Sequence, residues 1–128
     1  MWHVVNPVSG RIFTNTPYLI VDSDDAGSVI THSIITSPVV DASNAGSLYL
    51  SFDQYYNYIW SDYAKVPVYD GSDWVTILNQ TADIGSWSVP DHQAIDVTAY
   101  ANPAFQVRFE YYGDYAWYWA IDNVEISD

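Results

Sequence analysis

The densest group of potential metal ligands in this 128-residue sequence lies between residues 22 and 27. Asp22, Asp24 and Asp25 supply three carboxylates within four residues, and Ser23 adds a hydroxyl group. Gly27 permits the tight turn that directs backbone carbonyls towards an ion. Calcium prefers such acidic loops, but it takes about six to eight oxygen ligands. The pattern therefore predicts a structural calcium site that needs further ligands, and the competing interpretation is a solvated acidic turn.

The last apolar run of the sequence changes phase at Asp122 and Asn123. Its apolar residues form two sets of opposite parity, Trp117, Trp119 and Ile121 and then Val124 and Ile126. If both sets face one core, a β-bulge lies at the phase change and redirects a side chain there; the alternative is a strand buried on both faces. Asp122 is then the natural missing carboxylate. The predicted ligands of a structural Ca2+ are Asp22, Asp24, Asp25 and Asp122.

Aromatic residues form the second group that could carry a function, because they make up 17% of the chain. Two clusters lie in and around predicted loops, one in residues 55–63 and one in residues 111–119. Flat aromatic faces stack on sugar rings and anchor protein partners, although most aromatic residues in strands belong to cores or cross-strand pairs. The loop positions expected to be exposed and to bind a ligand are Tyr56, Tyr58, Trp60, Tyr115 and Trp117.

Catalytic motifs are missing from the sequence. It contains no Gly-x-Ser-x-Gly, no His-Glu-x-x-His and no phosphate-binding loop, and these motifs mark common hydrolase and nucleotide sites. A polysaccharide hydrolase needs only two carboxylates at a set spacing, but nothing in the sequence places such a pair in a deep cleft. We expect that the protein is not an enzyme.

The charge and composition of the chain limit the classes of partner that it can bind. The chain has 16 acidic residues against three Lys and Arg, a net charge of −13, and no Cys. Nucleic acid and anionic membranes are poor partners for such a chain, because phosphate contacts need Lys and Arg, and we expect no nucleic-acid partner. No apolar run approaches the roughly 20 residues that span a bilayer, so membrane insertion is not expected. Without a disulfide framework, stability must come from core packing or a metal.

The elements that position these residues are predicted to be strands. Short runs rich in Val, Ile, Thr, Tyr and Trp recur between clusters of Gly, Pro, Asn and Asp, with no helical period. Predicted strands cover residues 18–22, 29–37, 47–56, 63–69, 74–78, 105–112 and 117–126, with a weaker one at 93–97. This pattern predicts an all-β sandwich or jelly roll. The chain length fits a single domain, 1–128, with residues 1–17 as an irregular or truncated first-strand region.

Two local signals refine the strand pattern. Asp70-Gly71 predicts a tight hairpin turn between two apolar runs. This turn also explains why Asp70, Ser72 and Asp73 lie close together in the sequence. The alternative interpretation of these three residues is a second ion site. Pro67 cannot donate a hydrogen bond to a neighbouring strand, so it should lie at a sheet edge or a bulge.

Six motifs in order resemble one protein family. They lie at residues 21–27 (the acidic "DSDxxG" loop), 35–41, 48–53, 66–74, 107–109 and 118–126. This order is similar to that of MAM-like, cleaved-adhesin ("choice-of-anchor J"-type) modules of bacterial secreted proteins. The resemblance implies a galactose-binding-like jelly roll of two antiparallel sheets, located at the cell surface or in the extracellular medium. It also implies that Asp122 approaches the acidic loop. It does not imply a particular ligand.

Together these observations predict a non-catalytic, calcium-stabilised extracellular binding module of a larger secreted protein. Its expected partners are a carbohydrate or an extracellular protein ligand and the neighbouring domains of the parent protein. One alternative is a structural spacer or adhesin repeat that makes protein–protein contacts. The other is a polysaccharide hydrolase.

Overall fold

The computed structural model describes residues 1–5 and 17–128, and in this part of the chain it contains nine strands and one short helix. The elements are β1 His3–Val5, β2 Tyr18–Asp22, α1 Ser23–Ala26, β3 Ile30–Thr36, β4 Tyr49–Asn57, β5 Tyr63–Tyr69, β6 Trp74–Gln80, β7 Asp91–Asp96, a 3-10 turn Thr98–Tyr100, β8 Gln106–Asp114 and β9 Tyr118–Ser127. The part of the predicted first-strand region that covers residues 6–16 lies outside the described residues.

The strands form two antiparallel sheets that face each other. One sheet has the order β1-β2-β9-β4-β7 and the other has the order β3-β8-β5-β6. The chain passes repeatedly from one sheet to the other, as in a jelly roll. The predicted jelly-roll β-sandwich is confirmed. No helix in the described ranges is long and apolar enough to cross a membrane.

Alternation along the central strands builds the core. Leu50 and Phe52 on β4 face Val107 and Phe109 on β8 across the sandwich, and each is at most 5% exposed. Phe52 and Phe109 meet edge to face with ring centroids 5.2 Å apart, a geometry that aromatic quadrupoles favour. The period-2 pattern of the sequence therefore predicts the core-facing side of these strands.

Two features of β9 account for its phase change: one segment is buried on both faces, and a β-bulge follows it. Trp119 and Ile121 belong to the core between the sheets, whereas Tyr118 and Ala120 pack in a second buried cluster with Tyr18 and Ile20 of β2. The first half of β9 is thus buried on both faces. The following residues contain the predicted bulge.

The bulge lies one residue beyond Asp122. Ser51 pairs with Glu125 and Asp53 pairs with Asp122, so a single β4 residue stands opposite two residues of β9. Asn123 adopts a left-handed backbone conformation with φ 53°, which Asn tolerates better than most residues. Val124 is 42% exposed, so the alternative in which both apolar sets face one core does not hold for Val124.

The other local signals are confirmed. The pairing of β5 with β6 shifts register between Val66 and Pro67, which places Pro67 at a bulge as predicted. In the hairpin turn the carboxylate of Asp70 accepts hydrogen bonds from the backbone N–H groups of Ser72 (2.8 Å) and Asp73 (2.7 Å). The Asp70 carboxylate thus serves the turn that the Asp-Gly signal predicts.

Candidate functional site

Three connections meet at one end of the sandwich and form a shallow cleft. They are the β2–β3 connection that contains α1, the β4–β5 loop and the β8–β9 loop. The cleft has a volume of about 130 Å³ and is lined by Asp24, Ile59, Trp60, Tyr115, Ala116 and Trp117. We call it the aromatic cleft. It brings together Trp60, Tyr115 and Trp117, three of the five aromatic residues predicted to bind a ligand.

Trp60 is held at both ends although its side chain is exposed. Its backbone N–H donates to a carboxylate oxygen of Asp62 (3.1 Å), and its indole Nε1–H donates to the backbone carbonyl of Asp114 (2.9 Å). Its carbonyl accepts a hydrogen bond from the hydroxyl of Tyr58. Trp60 is nonetheless 55% exposed. The ring is therefore fixed before any ligand arrives, which reduces the entropy lost on binding.

The buried Asp62 holds the β4–β5 loop in place through hydrogen bonds. Its carboxylate is buried and also accepts hydrogen bonds from the Tyr56 hydroxyl (2.8 Å) and the Ile59 N–H (3.2 Å). Sequence reasoning did not identify Asp62. The available signal was an Asp at the end of an aromatic loop, a residue type that often bonds nearby backbone N–H groups.

Two predicted ligand-binding tyrosines, Tyr56 and Tyr58, are not among the residues that line the cleft. The expected exposure of Tyr56 is wrong: Tyr56 lies in β4 on the same face as Leu50 and Phe52 and is fully buried in the core. Burial, and then its hydrogen bond to the Asp62 carboxylate, raise the pKa of Tyr56. Tyr58 is half-buried against Tyr56, with ring centroids 6.4 Å apart. These two residues support the loop.

The β8–β9 loop is fastened to the acidic helix α1. The carbonyl of Trp117 accepts hydrogen bonds from the backbone N–H groups of Ser23 (2.8 Å) and Asp24 (3.1 Å). The Ala116 N–H donates to the hydroxyl of the buried Ser23 (3.0 Å). Tyr115 has a left-handed backbone with φ 48° and is 51% exposed. The acidic segment thus positions the two aromatic residues of this loop.

The carboxylates of the acidic segment have different environments. Asp22 is buried and caps α1, accepting a hydrogen bond from the Asp25 N–H (3.0 Å), and Gly27 ends the helix with φ 82°. Asp24 and Asp25 are exposed in the first turn, where the helix dipole favours acidic residues. Helix capping therefore accounts for much of this sequence pattern.

Asp122 lies apart from the acidic segment. Asp22 pairs with Tyr118, whereas Asp122 lies four residues further along β9 and pairs with Asp53; four strand residues span about 13 Å. The bulge brings Asn123 to Asp53, with a hydrogen bond of 2.8 Å. No group of three or more His, Asp or Glu side chains in the described ranges could hold a metal ion. The four predicted ligands do not fit one shared ion, and calcium binding stays a prediction.

Solved structures with a similar fold include three binding modules. The K1 cleaved adhesin domain of Lys-gingipain from Porphyromonas gingivalis W83 has a TM-score of 0.70 and 16% identity, over 98% of this chain and 89% of that one. The module TmCBM61, solved with β-1,4-galactotriose, has a TM-score of 0.66 and 11% identity, over 98% and 87%. A family 16 carbohydrate-binding module has a TM-score of 0.56 and 13% identity, over 96% and 83%.

A fourth similar structure belongs to an enzyme. It is the enzymatically active domain of tailspike protein 4 from bacteriophage CBA120, with a TM-score of 0.52 and 11% identity. The match covers 99% of this chain but 17% of that one. No family model matches the sequence, and no curated protein matches it. At these identities the likenesses establish the fold, which is that of cleaved-adhesin and carbohydrate-binding modules.

Proposed function

We propose that this protein is a non-catalytic carbohydrate-binding module and that its ligand occupies the aromatic cleft. One observation carries the proposal: Trp60, Tyr115 and Trp117 are exposed, come from two different loops and line one concavity. Isolated exposed aromatic residues are common on protein surfaces, but a cluster of them in a concave site is typical of binding sites.

The chemistry of the cleft suits a sugar ring. The aromatic faces supply apolar area for the C–H face of a pyranose, and the exposed carboxylate of Asp24 supplies an acceptor for its hydroxyl groups. Pockets for drug-sized ligands usually measure about 300 to 1,000 Å³, so a cleft of about 130 Å³ is small and would hold no more than about one sugar unit of a larger glycan. The likeness to carbohydrate-binding modules supports this assignment.

The cleft also supports a binding role without catalysis. Asp24 is the one carboxylate among the residues that line it, whereas glycoside hydrolysis generally uses two carboxyl groups flanking the scissile bond. Asp62, close to Trp60 in sequence, is buried and bonded to Tyr56 and two backbone N–H groups.

We further propose that the module works outside the cell as part of a larger secreted protein, in keeping with the cleaved-adhesin likeness.

Calorimetric titration with soluble oligosaccharides of galactan, glucan, mannan and chitin tests the proposal. We expect Trp60→Ala with Trp117→Ala to weaken binding at least tenfold, because aromatic anchors of this kind contribute about 2 kcal/mol or more. Tyr49→Ala is the matched control, since Tyr49 is 42% exposed at the other end of the sandwich. An unchanged affinity in the double variant, or no binding to any glycan, would reject the proposal.

A second candidate function is protein–protein contact by an adhesin repeat. Its support is the edge strand β3, where Ile30 is 62% exposed, Ile34 is 47% exposed and the preceding Val29 is 54% exposed. Exposed apolar edge strands are prone to pair with other chains. Concentration-dependent self-association without glycan binding, abolished by Ile30→Lys with Ile34→Lys, would favour this function over the first.

A further inference from the structure

The charged residues around the aromatic cleft all have one sign in the described part of the chain. Asp24 lines the cleft, Asp25 follows it in α1, and Asp114 supplies the carbonyl that holds Trp60. Asp22, at the end of β2, and Asp62, in the β4–β5 loop, are buried. Asp24 thus lines the cleft, and the other acidic residues lie next to it in the same part of the fold, so the potential in this concave site is negative.

The described Lys and Arg residues lie elsewhere. Lys65 and Arg108 alternate with core residues on β5 and β8, so both project from the outer face of the four-stranded sheet. There the Lys65 ammonium lies 4.2 Å from the ring centroid of Tyr63, and the Arg108 guanidinium lies 3.7 Å from that of Trp74. These cations are occupied and do not neutralise the cleft.

Aromatic rings beside a carboxylate are a suitable environment for a cationic group. Aromatic faces attract ammonium groups through their quadrupole, and the Asp24 carboxylate adds a direct charge partner. The backbone of Asp24 is held beside the cleft, because its N–H donates to the carbonyl of Trp117 (3.1 Å). The same carboxylate repels an acidic sugar placed on the rings.

We propose that the aromatic cleft selects glycans that carry a protonated amino group and discriminates against glycans that carry uronate or sulfate groups. This inference rests on the proposed carbohydrate-binding function and names the ligand class of that site. Asp24 is its specificity-determining residue. Trp60, Tyr115 and Trp117 supply the stacking surface that neutral and amino sugars share.

Matched tetrasaccharides test the inference. Calorimetry compares a β-1,4-linked glucosamine tetramer with its fully N-acetylated form at about pH 5.5 and low salt, where free amino groups are protonated. We expect the amino form to bind about tenfold more tightly, a factor that one cation–π contact with one exposed charge pair can supply. The preference should shrink as salt is added, and a galacturonic acid tetramer should not bind.

Two variants assign the preference to Asp24. Asp24→Asn should reduce it to about threefold or less, because the charge partner is lost while the rings remain. Asp73→Asn removes the same charge from the exposed hairpin turn at the other end of the sandwich and should leave the preference unchanged.

Three results would overturn the inference. They are equal binding of the two chitin-type tetramers, a preference that survives in Asp24→Asn, and binding of the galacturonic acid tetramer as tight as that of the amino form. Each of them leaves the proposed carbohydrate function standing, because a glycan is still bound. Loss of binding to every glycan would overturn both.

Discussion

Asp62 links the core of the protein to the surface of the aromatic cleft. Its carboxylate accepts hydrogen bonds from the Tyr56 hydroxyl in the core and from the N–H groups of Ile59 and Trp60 in the loop. A buried carboxylate is tolerated when several donors surround it. One side chain therefore satisfies a core tyrosine and fixes Trp60, an exposed aromatic residue of the cleft.

Replacing Asp62 should affect stability and binding together. We expect Asp62→Ala to lower the free energy of unfolding by about 2 to 4 kcal/mol, because it leaves a buried tyrosine hydroxyl and two loop N–H groups without their acceptor. Urea denaturation measures the change. Tyr56→Phe removes only one of the bonds and should cost about 1 kcal/mol. Equal losses in the two variants would contradict the central role of Asp62.

At the scale of single elements, α1 and the β8–β9 loop behave as one unit. Ser23 and Asp24 hold the Trp117 carbonyl, and the Ser23 hydroxyl accepts the Ala116 N–H. The acidic segment that suggests a calcium site in the sequence thus has a defined structural task. A cation at this segment would act on the cleft through these bonds.

Calcium binding at the acidic segment remains a prediction that thermal melting can test. If it is correct, calcium at about millimolar concentration raises the Tm by binding the folded state. Asp24→Asn should reduce this gain, whereas Asp122→Asn should preserve it, because Asp122 pairs with Asp53 four residues along β9. A Tm that responds neither to calcium nor to a chelator identifies the segment as a solvated, capped turn.

How well a structural feature could be predicted depends on how far apart in sequence its interacting residues lie. Strand positions and the hairpin could be predicted because period-2 burial and turn chemistry are local, and β2 and β5 have the predicted bounds. The bulge was also visible as a phase change. The partner of Asp122 could not be predicted, because pairing register depends on residues about 70 positions away. The burial of Tyr56 was predictable from the same period-2 pattern, because Tyr56 lies in the predicted strand 47–56 in phase with Leu50 and Phe52.

At the scale of the whole molecule, hydrogen bonds between side chains join the two sheets. Gln54 of β4 and Gln80 of β6 are buried and exchange hydrogen bonds of 2.6 and 3.0 Å. The indole N–H of Trp119 donates to the same Gln54 oxygen (3.0 Å). Such a satisfied network specifies how one sheet sits over the other. The two sheets, which no disulfide can join because the sequence has no Cys, gain a defined alignment in this way.

Acid sensitivity is a property of the whole surface. Burial tends to raise the pKa values of Asp53 and Glu110, but hydrogen bonds outweigh it, from Asn123 and His92 to Asp53 and from His32 and Tyr63 to Glu110. Both carboxyl groups consequently have a lowered pKa in the folded state. Hydrogen bonds likewise lower the pKa of the exposed Asp41, Asp70 and Asp96.

The sign of the pH dependence follows from these shifts. A carboxyl group with a lowered folded-state pKa stabilises the protein above its unfolded pKa, and this contribution is lost as the pH falls through the folded-state pKa. We expect the urea midpoint to fall on acidification below about pH 4.5. Asp53→Asn, which removes one titrating group, should flatten the fall. A midpoint that rises steadily down to pH 3 would show instead that relief of charge repulsion dominates.

The placement of the tryptophans makes the protein its own optical probe. Of its six tryptophans, Trp60 and Trp117 line the cleft with 55% and 37% exposure, whereas Trp2 and Trp119 are buried with at most 8%. Indole emission shifts to shorter wavelength when water is displaced from the ring. A glycan that covers the cleft should therefore change the emission of the exposed pair and leave that of the buried pair as an internal reference, so that occupancy can be followed without a label.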